Sequence, residues 1–207
     1  MEQRGEYEIV AAYDLGTGAA IWAHEYKAIF SETMGGDGPR STPTIYQGQV
    51  FALGGTGRLS VLDLETGHLV WSKDLLESSG GNVLYFGQTA SPLILSDLEG
   101  LPDLVIVPGG GEPGPALLAL DIGSGETVWT SGTHTASYAS PQVMELAGKR
   151  QIVTVNATRV TGQEIESGEL LWKFDWPGEM PKIANPCQIG PTTVFVSGSY
   201  GYGAKLL

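Results

Sequence analysis

One cysteine, Cys187, stands among 207 residues, so no internal disulfide can form and the fold must rest on packing and hydrogen bonds. Beside Pro186, at the start of a strand, that thiol is expected to be a small buried apolar residue. Cationic residues are scarce too: 11 Lys and Arg stand against 23 Asp and Glu, a formal net charge of −12. Such a surface repels phosphate backbones, and no local cluster of Lys and Arg offsets it, so nucleic acid is excluded as the expected partner. No apolar run approaches the roughly 18 residues of a membrane-crossing helix, so the chain is not expected to be membrane-spanning. Met1 to Glu6 hold no apolar core of the kind a signal peptide needs, which leaves the compartment open. Helical periodicity is missing as well: no stretch of about a dozen residues keeps an i, i+3, i+4 apolar pattern free of Gly and Pro. With 30 glycines and 12 prolines supplying turns, the chain reads as all-β.

What is present is a repeat. An apolar run, a tight Asp-x-x-Thr-Gly turn and a second run ending in tryptophan recur four times. The copies carry Asp14, Gly18 and Trp22; Asp63, Gly67 and Trp71; Asp121, Gly125 and Trp129; and, with Glu164 replacing Asp, Gly168 and Trp172. The tryptophans lie 49, 58 and 43 residues apart. An independent marker, Thr42-Pro43, Ser91-Pro92, Ser140-Pro141 and Asn185-Pro186, repeats at 49, 49 and 45. Two markers with one period near 40–50 residues point to four-stranded propeller blades.

Each interval divides into strands A to D. The expected organisation is a blade part over 1–30, blades over 41–75, 91–131 and 140–175, and a blade part over 185–207. That is about four blades' worth of antiparallel β-propeller, expected to be a fragment of a seven- or eight-bladed ring. Leu104-Val105-Ile106-Val107 is apolar without alternation, as a strand buried between two neighbouring blades would be. In the turns, Asp accepts from the backbone N–H groups that follow it, and Gly supplies positive φ. The tryptophan is expected to fill the gap between one blade and the next, with its N–H bonded to a carbonyl.

The string Val61-Leu62-Asp63-Leu64-Glu65-Thr66-Gly67-His68-Leu69-Val70-Trp71 resembles the repeat of pyrroloquinoline-quinone-type (quinoprotein-like, BamB-like) β-propellers, Ala-Leu-Asp-x-x-Thr-Gly-x-x-x-Trp. Ala119-Leu120-Asp121 and Ala12-Tyr13-Asp14 continue the likeness. The resemblance implies an export-bound ring in the periplasm or at the cell surface, and it implies two classes of function. One is a non-enzymatic scaffold that binds another protein or an envelope component, with no cofactor. The alternative is part of a PQQ-dependent alcohol or sugar dehydrogenase, which would use PQQ and calcium. The adjacent-cysteine disulfide that packs on the quinone in many of those alcohol dehydrogenases has no counterpart in a chain with one cysteine. A shared fold transfers no chemistry between these classes.

Loop lengths indicate where binding would occur. The C-to-D turns are short, whereas D-to-A connections run to about 10–19 residues and B-to-C connections vary. In an up-and-down blade these longer loops emerge on one face, which is therefore the expected binding face. Asp37 and Arg40 precede an inner strand there; they either address the channel or, on the plainer reading, close a glycine-rich turn as an Asp–Arg pair. Tyr138 and Asn185 precede later inner strands and either contact a ligand or cap strand ends.

Other motifs carry little. Gly109-Gly110-Gly111 lacks the Lys-Ser/Thr and helix of a phosphate cradle. Asp97 to Asp103 places leucines where a calcium loop uses polar ligands, so a solvated A-to-B turn is expected. His24, His68 and His134 have no partner at metal-ligand spacing, and His68 is expected to face solvent. No Gly-x-Ser-x-Gly elbow appears, and the residues name no catalytic or metal site.

Overall fold

The structure, a computed structural model, describes residues 1–178 and 180–207. Strand-forming runs alternate with glycine-bearing turns, and each set folds up and down into one antiparallel sheet. The first sheet holds β1 (Glu2–Arg4), β2 (Tyr7–Tyr13) and β3 (Ala20–Lys27). A small hairpin, β4 (Ser31–Glu32) with β5 (Gly36–Asp37), leads to the second sheet of β6 (Thr44–Tyr46), β7 (Gln49–Leu53), β8 (Arg58–Asp63) and β9 (Leu69–Asp74). One helical turn, α1 (Leu75–Ser79), follows it. The third sheet comprises β10 (Leu93–Leu95), β11 (Leu104–Pro108), β12 (Leu117–Asp121) and β13 (Thr127–Ser131). The fourth comprises β14 (Gln142–Leu146), β15 (Lys149–Val155), β16 (Arg159–Glu164) and β17 (Leu170–Asp175). The last holds β18 (Cys187–Gly190), β19 (Thr193–Gly198) and β20 (Gly203–Leu206). Sheet order follows chain order throughout, so each sheet is a propeller blade, and the blades stand in an open arc.

Three details differ from the sequence reading. The first blade has a further strand, β1, whose polar Glu2-Gln3-Arg4 pairs with Tyr7 to Ile9 and carries no apolar signature. The outer strands run past their tryptophans into charged residues, as far as Lys27, Asp74 and Asp175, and α1 interrupts the loop after β9. Cys187 is exposed and not buried, because the last sheet packs on the fourth blade through Val194 and Val196 while its other face meets no blade in this chain.

The core lies between blades. Leu104, Val105, Ile106 and Val107 of β11 are all fully buried. Val105 and Val107 pack back onto Phe51, Leu53 and Val61 of the second blade, and Leu104 and Ile106 pack forward with Ile152 and Ile165 of the fourth. Burying a strand on both faces in this way removes the polar–apolar alternation.

One device repeats at the first three interfaces between blades. Asp63 Oδ1 accepts from the N–H groups of Glu65 (3.2 Å) and Thr66 (2.8 Å) and from the Thr66 hydroxyl (2.6 Å), closing the turn. These bonds, the Thr66 hydroxyl's first, hold the Asp63 carboxyl below its ordinary range. Gly67, Gly125 and Gly168 then sit at φ of 70°, 72° and 71° under the indole of the preceding blade. Trp22 Nε1 donates to the Leu64 carbonyl (3.0 Å), Trp71 to Ile122 (2.8 Å) and Trp129 to Ile165 (3.2 Å). In each blade the outer strand bulges just before its tryptophan, so that Ile21, Val70, Val128 and Leu171 have no partner residue on the neighbouring strand. A bulge re-aims the side chain beside it, here the indole. Trp172 instead donates to Gln151 Oε1 of its own sheet (2.5 Å), and Glu164, longer than Asp, takes Lys149 and the Ser167 hydroxyl.

Two expectations follow for thermal or denaturant unfolding. Trp129→Ala should cost about 3–5 kcal/mol, as for buried aromatic truncation; a loss under about 1 kcal/mol would contradict its role as a wedge. Gly125→Ala should cost about 1–3 kcal/mol more than Gly148→Ala. Both glycines have positive φ, but only at Gly125 would the added carbon lie 2.8 Å from an indole atom of Trp71, whereas that of Gly148 meets open space. Equal costs would show that the stacking contact is unimportant.

Candidate functional site

Because strands alternate in direction, the D-to-A and B-to-C connections share one face, where the inner strands begin. The proline markers are joined across blades there. The Thr42 N–H donates to Ser91 Oγ (3.1 Å), the Ser91 N–H to Ser140 Oγ (2.9 Å), and the Ser140 N–H to Asn185 Oδ1 (2.8 Å). Each residue before a proline thus accepts from its counterpart one blade earlier. The period of these residues was legible in the sequence, but their linkage was not.

Above this chain lie two adjoining cavities. One, of about 420 Å³, is lined by Gly35, Arg40, Phe86, Thr89, Tyr138, Ser140, Ile183 and Asn185, and so draws on four consecutive blade junctions. The other, of about 580 Å³, lies between the loops of the third and fourth blades and is bounded by Val83 to Phe86, Thr135 to Tyr138, Ala157, Met180 and Pro181, with Gly111 and Glu112. Phe86 and Tyr138 form the wall common to both, their rings edge-to-face at 5.5 Å, with Tyr85 edge-on to Phe86 at 4.8 Å. Burial raises the Tyr138 hydroxyl above the ordinary phenol range.

Three of the four residues singled out from the sequence, Arg40, Tyr138 and Asn185, line the smaller cavity. Asp37 does not; it lies exposed in β5, paired with Ser31. No Asp37–Arg40 pair forms. Arg40 pairs with Glu32 (3.5 Å), donates to the carbonyls of Phe86 (2.8 Å) and Gly36 (2.7 Å), and stacks over Phe30 at 5.1 Å. The β4–β5 hairpin places Glu32 nearer, and no periodic signal marked that residue.

Beyond the cavities, loops are locked by buried polar groups. Glu8, fully buried, accepts from the Tyr26 hydroxyl (2.5 Å) and the Gly55 N–H (3.0 Å), tying the first blade to the second. Burial first, and that bond second, push the Tyr26 phenol far above its ordinary range. Lys182, also fully buried, donates to the Ala157 carbonyl (2.5 Å) between the rings of Trp176 and Tyr202, and burial lowers its ammonium from the ordinary lysine range. The Gly109 to Gly111 run brings its loop against Asn82, with which Gly111 exchanges backbone hydrogen bonds of 3.1 and 2.8 Å. In the Asp97–Asp103 connection, Asp103 accepts from the Tyr46 hydroxyl (3.0 Å). Among the described residues, no group of three or more His, Cys, Asp or Glu side chains gathers as metal ligands would.

Comparison with known proteins follows the architecture. A family model described as outer membrane protein assembly factor BamB matches residues 6–199. The structure of BamB from Moraxella catarrhalis is similar at a TM-score of 0.60 and 19% identity over 92% of this chain and 49% of that one. The computationally designed Ika8 protein is similar at 0.57 and 16%, over 99% of this chain and 56% of that one. Quinohemoprotein alcohol dehydrogenase ADHIIG from Pseudomonas putida HK5 is similar at 0.54 and 15%, over 81% of this chain and 31% of that one. No curated protein sequence matches. The chain spans about half the length of the first two structures, and at these identities the likeness concerns fold.

The geometry makes two further expectations. Asn185→Ala, which leaves the Ser140 N–H without its acceptor, should cost about 1–2 kcal/mol, whereas Asn185→Asp should keep that bond and most of the stability; equal losses in the two would contradict the linkage. His24 and His134 are both lowered below the ordinary imidazole range, by burial first and then by Arg58 and Arg159 respectively. The folded state therefore resists protons that the unfolded chain accepts near about pH 6.5. Their contribution is complete above that value and is lost as pH falls through it. Between pH 7.5 and 5.5 the melting temperature should fall less in a His24→Gln, His134→Gln variant than in the parent; parallel curves would refute the assignment.

Proposed function

The chain belongs to the family described as outer membrane protein assembly factor BamB, and on that premise we propose that it is a non-enzymatic binding and scaffold propeller of the bacterial cell envelope. Its loop face takes another protein or an envelope component. The observation that carries this reading is the apolar surface around the two cavities. Val83, Tyr85 and Met180 at the larger cavity are 47%, 67% and 39% exposed, Ile183 at the smaller is 57% exposed, and Met34 beside Gly35 is 77% exposed. Contiguous exposed apolar side chains on one face, rimmed by polar groups, are the mark of an interaction surface. Many carboxylates instead occupy the opposite face, where Asp14, Asp63, Asp97, Asp121 and Glu164 sit in the short turns. Among the described residues that line the two cavities, Arg40 and Glu112 are charged and the rest are not, as at interface centres. The repeat turns are absorbed in building blades.

The test is a comparison of variants. The chain should retain a defined envelope protein or component when Leu15, on the turn face, is replaced by Lys, and lose it when Tyr85 and Ile183 are replaced by Lys. Retention by the loop-face variant would overturn the proposal. Titration of the chain with pyrroloquinoline quinone and calcium, followed by absorbance and dye-linked alcohol or glucose oxidation, addresses the dehydrogenase alternative. Stoichiometric uptake with turnover would replace the scaffold reading.

A further inference from the structure

We propose that the smaller cavity captures the C-terminal carboxylate of an extended peptide, an inference that rests on the loop-face reading and names the part of the partner that enters. The argument begins with hydrogen-bond inventory. The oxygens of Ser140 and Asn185 each already accept a bond, from the N–H groups of Ser91 and Ser140. The Ser140 hydroxyl hydrogen and the Asn185 amide hydrogens have no acceptor among the described residues, and both residues line the cavity. The Tyr138 hydroxyl accepts from the Phe86 N–H (3.4 Å) and likewise keeps its own hydrogen free. A serine hydroxyl and a phenol each hold one donor, and a primary amide holds two. Arg40, its guanidinium paired with Glu32, stands at the wall, and no carboxylate is among the residues that line the space. Donors left open in this way favour an occupant that brings acceptors.

Charge and shape narrow that occupant. With a net charge of −12 the chain repels polyanions, so a single carboxylate matches the cavity better than a phosphorylated or polyacidic ligand. Phe86, Tyr138 and Ile183 enclose it with apolar surface suited to a terminal aliphatic side chain. The adjoining cavity of about 580 Å³, with Val83, Leu84 and Met180 in its wall, continues the path where preceding residues would lie. A small free acid would fill only the first compartment. Capture of a terminal carboxylate by donors, with pockets for the neighbouring side chains, is an established mode of peptide recognition.

The probe is an N-terminally fluorescein-labelled hexapeptide, Ser-Gly-Ser-Val-Val-Leu, as the free acid and as the C-terminal amide. It is followed by fluorescence anisotropy with the full chain. The free acid should bind at least about 10-fold more tightly than the amide, the scale of one or two charge-assisted hydrogen bonds. Asn185→Asp retains the oxygen that serves Ser140 but exchanges the donor for a negative charge. It should reduce free-acid binding to the level of the amide, while amide binding and most of the stability are kept. Tyr138→Phe should weaken the free acid several-fold and spare the amide. Equal affinity for acid and amide, or undiminished acid binding by Asn185→Asp, would overturn the proposal. Full competition by N-acetyl-leucine at the same concentration would assign the cavity to a small acid, and self-association in sedimentation would assign it to a second copy; either refutes the peptide. If neither peptide form binds while the loop-face variant still loses its partner, the carboxylate proposal fails and the broader reading stands.

Discussion

An indole lying on a glycine holds this molecule together. Three outer strands deliver Trp22, Trp71 and Trp129 across a blade boundary, where the ring covers the turn glycine of the next blade and its N–H reaches a turn carbonyl at 2.8–3.2 Å. The contact needs three conditions at once. The turn residue must have positive φ and no side chain, an acidic residue must hold the turn closed (aspartate, or Glu164 through the Ser167 hydroxyl), and the bulge must aim the indole. Glycine alone meets the first without strain. A substitution at any of the three therefore acts on a boundary between blades, as in a solenoid where each unit buries its face only against its neighbours.

Because the device occupies the face of short turns, the opposite face is free to vary. There the blades are tied by a second chain of contacts, from Thr42 through Ser91 and Ser140 to Asn185, which fixes where the inner strands begin. The long loops above it diverge in length and residue type, and buried groups such as Glu8 and Lys182 secure them individually. A periodic frame thus supports a single aperiodic surface. That division leaves one face of varied loops, the face proposed for binding.

The frame was legible because it is periodic. Tryptophan and proline spacing located the blades, and an unbroken apolar run such as Leu104 to Val107 marked a strand buried on both sides. Features without period or apolar signature stayed hidden. The polar strand β1 reads as a tail, and the bulge residues Ile21, Val70, Val128 and Leu171 read as ordinary members of their strands, since only the register exposes them. Arg40, Tyr138 and Asn185 were singled out from their position before inner strands, yet their common cavity depends on loops that bring together residues 47 to 145 apart in sequence. Glu32, the partner of Arg40, was missed for the same reason, and Cys187 was expected inside because residue type alone does not report which face of a sheet is covered.

The claim that the tryptophan–glycine contact joins the blades is tested most directly by a double-mutant cycle at Trp71 and Gly125, read as unfolding free energy. Gly125→Ala should be costly beside Trp71, and much of that cost should vanish once Trp71 is Ala, a coupling of about 1 kcal/mol or more. Additive losses, within about 0.5 kcal/mol, would mean that the glycine serves only its own turn, and the account of how the blades are held would be wrong.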